Sequence, residues 1–390
     1  MEEKEAFRKK HLRGKSGPAD SIRSNILVKY IAKELFLYFF VCFLFFFVVF
    51  FVNQILLLAE TILRQRVPLP SVLKLIAYCL PAIIAQSAPF ATLVGFLMCL
   101  GRMVTDNEIL ILRASGQRYS LILIPVLIMG ILISIFSFVM NDYFLPLGTL
   151  NYNRMRTKIV QSNPAVQIES NSIKKMKGTS LVIGNAKDTE VDDLVILDKS
   201  SNEMRIIVAG KSNVEKSEAE GVLMELNMDD TLVFLISKNE KTNYDVVHAD
   251  SMKLNMFESL INTNSQIVSP REMTSYDLYK SIQKLRKENE LTKKQMNIYE
   301  LEYHKKFSIP FGSIFFAILA FPLALVFGRK DGQTLGLIFG IIISVMYWAA
   351  TILGQLFGLR GGYDGFWMMW GPNIFIGILG GFLYLRLRRK

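Results

Sequence analysis

The residues with the most chemical potential in this 390-residue sequence lie in one short segment, Gly101-Arg-Met-Val-Thr-Asp-Asn-Glu-Ile-Leu-Ile-Leu-Arg-Ala-Ser-Gly116. Thr105 and Glu108 have the spacing of a capping box, in which the hydroxyl accepts from an amide of the first turn and the carboxylate reaches back. Asp106 adds negative charge where a helix dipole is positive. Gly116 supplies a left-handed stop. The pattern predicts a helix over 105–114. Its middle, Ile109-Leu-Ile-Leu112, is too apolar for a free polar loop. Together with Glu108 and Arg113 it suits a groove in a partner protein. It equally suits a helix resting on its own spans or on lipid, and periodicity alone does not choose. A second constellation is Arg64 and Arg66, just past the first apolar run. Guanidinium groups there suit lipid phosphates, or they simply snorkel to headgroups.

Enzyme chemistry is not written into the chain. The three histidines, His11, His248 and His304, are scattered, and neither HExxH nor GxSxG occurs. A GxxxxGK[ST] phosphate loop is also absent. Any ATP-derived work would therefore enter through another protein. Cys42, Cys79 and Cys99 all lie in apolar runs and read as packing thiols. No metal and no cofactor is expected.

The elements that must position these residues are membrane helices. Hydrophobic residues make up 51% of the chain and charged residues 20%, with 28 Phe. Soluble domains carry about 25% charge. Apolar runs at about 35–59, 72–100, 119–141, 307–327, 334–357 and 367–385 are each near or above the roughly 20 residues that cross a bilayer. The first is too long for a signal peptide and has no clear cleavage site, so it reads as an uncleaved span. Pro81, Pro89, Pro310 and Pro322 fall inside spans, which membranes tolerate when neighbours satisfy the freed carbonyls. Residues 26–35 place Lys29 and Lys33 on one face and Leu27, Ile31 and Leu35 on another, predicting an amphipathic lead-in helix at the membrane surface.

The net charge of +11 raises the question of nucleic acid. Its location answers it. Residues 1–34, 101–118, 328–333 and 386–390 hold about 18 basic and about eight acidic residues, whereas the polar middle from Leu145 to Lys305 is nearly balanced at about 22 against about 23. Basic residues mark cytoplasmic segments. Both termini and the Gly101–Gly116 loop are thus expected in the cytoplasm, the middle outside, and no nucleic acid as partner.

That middle carries short β-rich runs: Leu181-Val-Ile, Leu194-Val-Ile-Leu, Arg205-Ile-Ile-Val, Val222-Leu-Met-Glu-Leu, Leu232-Val-Phe-Leu-Ile and Asp245-Val-Val. Their spacing predicts an antiparallel sandwich or open roll, with Asp192-Asp193 and Asp229-Asp230 in turns. From about 275 the pattern turns helical, with a start at Ser275 and a break at Leu291-Thr292.

Several segments, in this order, resemble the lipopolysaccharide-export permease family (LptF/LptG, also called YjgP/YjgQ). They are Pro81 and Pro89; Gly101-Arg102, Asp106, Glu108 and Leu112-Arg113-Ala114-Ser115-Gly116; Asn141-Asp142-Tyr143 with Pro146; Phe321-Pro322-Leu323-Ala324-Leu325 with Arg329 and Gly332; and Trp370-Gly-Pro-Asn373. The resemblance covers about residues 26–390. It implies six transmembrane helices arranged three plus three around an inserted periplasmic antiparallel β-jellyroll. The divisions would be a cytoplasmic tail and lead-in helix at 1–34, spans one to three at 35–144, the β-domain at 145–274, a helical connector at 275–305, and spans four to six at 306–390. It implies a non-catalytic subunit in the inner membrane of a diderm bacterium. The expected partners are a cytoplasmic ABC ATPase dimer, a paralogous permease subunit, periplasmic jellyroll bridge proteins and lipopolysaccharide. On that resemblance Thr105, Asp106, Glu108, Ile109, Leu112 and Arg113 would couple to the ATPase, and Arg64 and Arg66 would meet lipid phosphates. A subunit of another ABC export system, or a receptor with a ligand-sensing β-domain, are the alternative readings; the receptor needs an output domain that the short cytoplasmic segments do not hold.

Overall fold

The computed structural model describes residues 18–65, 68–162, 171–175, 179–187, 189–199, 203–215, 222–237, 244–257, 269–288, 293–327 and 331–389. The basic tail before Pro18, Arg66, the break at Leu291-Thr292 and Arg329 lie outside them. Among the described residues, six helices are long and apolar enough to cross a membrane. In chain order the helices are α1 (Pro18–Gln65), α2 (Leu69–Thr105), the short α3 (Glu108–Ala114), α4 (Ser120–Val139), α5 (Leu145–Ser162), α6 (Ser275–Glu288), α7 (Lys293–Phe327), α8 (Gly332–Gly361) and α9 (Gly365–Arg389). A π-helical turn, Met140–Phe144, joins α4 to α5 without a break. Seven strands lie between α5 and α6: β1 (Ser172–Lys175), β2 (Thr179–Ile183), β3 (Ala186–Lys187), β4 (Glu190–Asp198), β5 (Glu203–Glu215), β6 (Val222–Ser237) and β7 (Tyr244–Phe257).

The helices differ from the sequence expectation at their ends. Among the described residues no separate surface helix precedes span one, because α1 is continuous from Pro18 and both Ile31 and Leu35 are fully buried. The apolar stripe read as an interfacial face is instead a packing face. Nor does the helical chain stop at Phe144, since the π turn carries it on to Ser162. The predicted start at Ser275 holds. The Thr274 hydroxyl, one residue earlier, accepts from the Asp277 amide at 3.2 Å and donates to its carboxylate at 2.7 Å.

The chain divides into two compact units. The first comprises Met1–Asn53, Leu80–Pro146 and Met273–Lys390. Its centre is built by α2 and α7, which supply most of the deeply buried side chains, among them Phe96, Leu97, Leu100, Phe316 and Phe321. Lipid is as apolar as these residues, so close contact rather than water exclusion must hold the helices together. Small residues make that contact. Gly332, Gly336 and Gly340 lie one turn apart on α8, and a Cβ on each would run into the backbone of Gly101, of Leu97 and of Val94 on α2.

The second unit comprises Gln54–Cys79 and Leu147–Glu272. Its strands form one antiparallel sheet in the order β1-β2-β4-β5-β6-β7, with β3 paired to β4. One face buries Leu181, Ile183, Leu194, Ile196, Ile207, Val214, Leu226 and Met228. The acid pairs expected in turns are inside strands. Asp193, Gly210, Asp230 and Asp250 lie opposite one another across β4 to β7, where the flanking pairs Asp192–Lys211, Lys211–Asp229 and Asp229–Ser251 keep their register. Along this row the buried positions change parity: Val191 to Leu194, Ala209 to Ser212, and Met228 to Thr231. Asp193 and Asp230 have φ of 56° and 50°. In β4 and β6 the left-handed residue lies where two successive side chains turn to the exposed side. Val222-to-Leu226 and Leu232-to-Ile236 are therefore one creased strand, not two.

Candidate functional site

The loop after α2 is built differently from a capping box. Thr105 is the last residue of α2, and its hydroxyl donates to its own helix at the Gly101 carbonyl, 3.1 Å away. It also accepts from the Gly332 amide at 2.9 Å. It thus caps the first turn of α8. Asn107 precedes α3 with φ of 59° and makes no side-chain cap. Asparagine is among the few residues that tolerate this region. The helix is correspondingly shorter than expected, Glu108–Ala114.

Its other end agrees with the sequence. Gly116 has φ of 86°, its amide bonds to the Arg113 carbonyl at 3.0 Å, and the Gln117 amide bonds to Leu112 at 3.1 Å. That pair of bonds is a Schellman stop.

Both ends of α3 are fastened to spans. The Tyr30 hydroxyl of α1 donates to the Glu108 carboxylate, 3.3 Å from each oxygen. Arg113 lies over the Tyr119 ring at 4.0 Å, beside the start of α4. Tyr119 in turn meets Phe321 of α7 edge-on. Asp106 is the more distant partner of Arg102, at 3.9 Å. The faces of α3 follow its 100° per residue. Ile109 is 4% exposed and belongs to the chain's own core, with Leu112 packed partly against it. Leu110 and Ile111 are each 64% exposed. The two apolar residues singled out from the sequence therefore face inward, and the two between them face out. The helical spacing of Ile109 and Leu112 was the available signal for an inward pair.

Tyr30 and Glu34 were missed because their partners, Glu108 and Arg102, stand 78 and 68 positions away in the chain. Glu34 pairs with Arg102 at 2.9 Å, and Arg102 also sits over the Tyr38 ring at 5.7 Å. Arg64 belongs to the last turns of α1, and its side chain is outside the described residues, as is Arg66. Among the described residues no group of His, Cys, Asp or Glu gathers as metal ligands would.

In the second unit His248 bonds to Asp230 at 2.8 Å. That hydrogen bond, aided by the Asp230 and Asp250 charges, holds the His248 pKa above the ordinary value of 6.5.

Comparison with known proteins adds two findings. The family described as the lipopolysaccharide export system permease LptF/LptG matches residues 29–386. The "Lipopolysaccharide export system permease protein LptG" of Haemophilus influenzae is 23% identical over 285 residues, which cover 71% of this chain and 75% of that protein.

Proposed function

The chain belongs to the lipopolysaccharide export permease family LptF/LptG, and on that footing we propose that it is a transport subunit driven by a separate cytoplasmic ATPase. It would take lipopolysaccharide from the outer leaflet of the inner membrane and pass the acyl chains to the apolar face of its β-sheet. A paralogous subunit would complete the membrane pathway, and periplasmic β-proteins would receive the lipid. The charge distribution supports the orientation: about 18 basic residues lie in the segments assigned to the cytoplasm, against about five in the outer rims.

The observation that carries the reading is the construction of α3. A seven-residue helix stands outside the spans and is fastened to α1 by Glu108 and to α4 by Arg113. It leaves Leu110 and Ile111 uncovered. An apolar pair on an anchored helix suits insertion into a groove of the ATPase. Movement of that groove would then reach two spans at once. Thr105 and Asp106 serve as the root of the loop rather than as contacts. Ile109 and Leu112 hold the helix to its own bundle.

The test is co-purification of the full chain with its candidate ATPase in detergent. Replacing Leu110 and Ile111 together by Ser is expected to lose the ATPase while leaving the chain folded and monodisperse. Retention of the ATPase at the wild-type ratio would overturn the docking role. For Arg64 and Arg66, photo-crosslinking to lipopolysaccharide from positions 60–68 decides. Adducts support phosphate contact, and their absence at every position counts against it.

A further inference from the structure

The loop helix is joined to α1 through more than Glu108. Arg102, three residues from the end of α2, reaches Glu34 at 2.9 Å, with about a quarter of each side chain exposed. Tyr38, one turn further along α1, lies under the same guanidinium. Tyr30, one turn earlier, reaches Glu108. Tyr30, Glu34 and Tyr38 thus form one stripe at i, i+4 and i+8, all meeting the root or the first residue of the loop helix.

That stripe matters because α1 is otherwise held along one apolar seam. Among its described side chains, the fully buried positions in this unit are Ile31, Leu35, Phe39 and Cys42, and Leu27, Phe43, Phe46 and Phe50 pack partly along the same seam. Phe36, Leu37, Phe40, Val41, Leu44 and Phe45 are all exposed. A span attached along one line can tilt about it. The polar stripe beside that line fixes the inner end of the tilt. The opposite side of the root is rigid, because Gly101 packs backbone to backbone on Gly332 and Thr105 caps α8.

We propose that Glu34 and Arg102 are positioning residues for transport, an ion pair that converts displacement of the loop helix into movement of α1. α8 serves as the fixed side. The pair is partly shielded, and the planar guanidinium presents a fixed fork to the carboxylate. Neither group needs to touch lipid or ATPase. The inference rests on the proposed function above, in which an ATPase moves α3.

The experiment uses the full permease–ATPase complex in vesicles and reads lipopolysaccharide moved per ATP hydrolysed. Glu34→Gln and Arg102→Gln are each expected to lower that ratio about threefold or more, the size of effect seen for residues that carry coupling. ATP hydrolysis itself should stay close to wild type. The double variant should be no worse than either single one, since the two act as one unit. Arg102→Lys should retain most of the ratio. Tyr30→Phe keeps the ring and removes the links of its hydroxyl to Glu108 and to Arg102 while leaving the Glu34–Arg102 pair intact, so it should lower the ratio even if the Arg102 variants fold poorly. An unchanged ratio in Glu34→Gln and Tyr30→Phe would overturn the proposal, as would fully multiplicative losses in the double variant. If no ATPase accompanies the wild-type chain, the proposed function fails and this inference falls with it. If the complex forms, hydrolyses ATP and transports, but the ratio does not move, this inference alone fails.

Discussion

Asn141 donates its side-chain amide to the backbone carbonyl of Lys306, at 2.9 Å. Four residues on from Lys306 stands Pro310, which has no amide to offer that carbonyl. One turn earlier on the same helix, the Ser137 hydroxyl donates to the Ala85 carbonyl at 2.9 Å, and four residues on from Ala85 stands Pro89. Span three thus carries two polar groups at i and i+4, each serving a carbonyl that a proline leaves bare in a different neighbour. Ser137 is fully buried and Asn141 is 8% exposed, so neither carbonyl has water as a substitute.

A double-mutant cycle tests this pairing. Asn141→Ala should cost about 1–3 kcal/mol, the penalty of a buried carbonyl without a donor. In a Pro310→Ala background the helix regains its own amide, and the same substitution should cost clearly less. The measurement is unfolding of the full chain in mixed micelles. Equal costs in both backgrounds would show that Asn141 serves something other than the proline break.

The contact between spans two and five makes a second prediction. Gly336→Ala would place a methyl group into the Leu97 backbone, whereas Gly381→Ala meets nothing within 4 Å. The first should destabilise by about 1–3 kcal/mol, as overpacking does. The second should be neutral or stabilise by up to about 1 kcal/mol, as expected for removing a helical glycine. The same micelle unfolding assay reads both. A silent Gly336→Ala would mean that the two helices are held apart.

The sequence was informative where a property repeats over many residues. Six long apolar runs specified six spans, and the run of short β segments specified an antiparallel sheet. Single-residue geometry was harder to read. Thr105 and Glu108 have capping-box spacing, yet the Thr105 hydroxyl serves the amide of Gly332, more than two hundred positions away in the chain. Nothing local distinguishes the two uses. Tyr30 and Glu34 were illegible for the same reason, since their partners Glu108 and Arg102 are brought to them only by helix packing. Ile109 and Leu112 were legible as a pair. The face they turned toward was not, because an apolar pair suits a partner's groove and the chain's own core equally.

The crease across the sheet predicts position-specific tolerance. Asp193 and Asp230 adopt left-handed backbone, where a β-branched side chain clashes with its own carbonyl. Asp193→Val or Asp230→Val should each cost about 1–2 kcal/mol, while Gly at either position should be close to neutral. Thermal unfolding of the full chain, followed by the β signal in circular dichroism, distinguishes the two. If Val were tolerated at Asp230, the bend would not depend on the left-handed residue.

His248 gives the crease a pH dependence. The bond to Asp230 raises its pKa in the folded protein above the ordinary 6.5. The folded state therefore holds the proton more tightly than the unfolded chain does. The stabilisation is fully present below the unfolded pKa and is lost as pH rises through the folded one. The pair is solvent-exposed, so the effect on overall stability should be small. The sharper measurement is the titration itself. In the full chain in micelles, the NMR signal of His248 should show a midpoint above 6.5, and Asp230→Asn should bring it down. The same substitution should flatten the fall in β-sheet stability between mildly acidic and mildly alkaline pH. A midpoint that does not respond to Asp230→Asn would mean that the imidazole is held by Asp250 or by water instead.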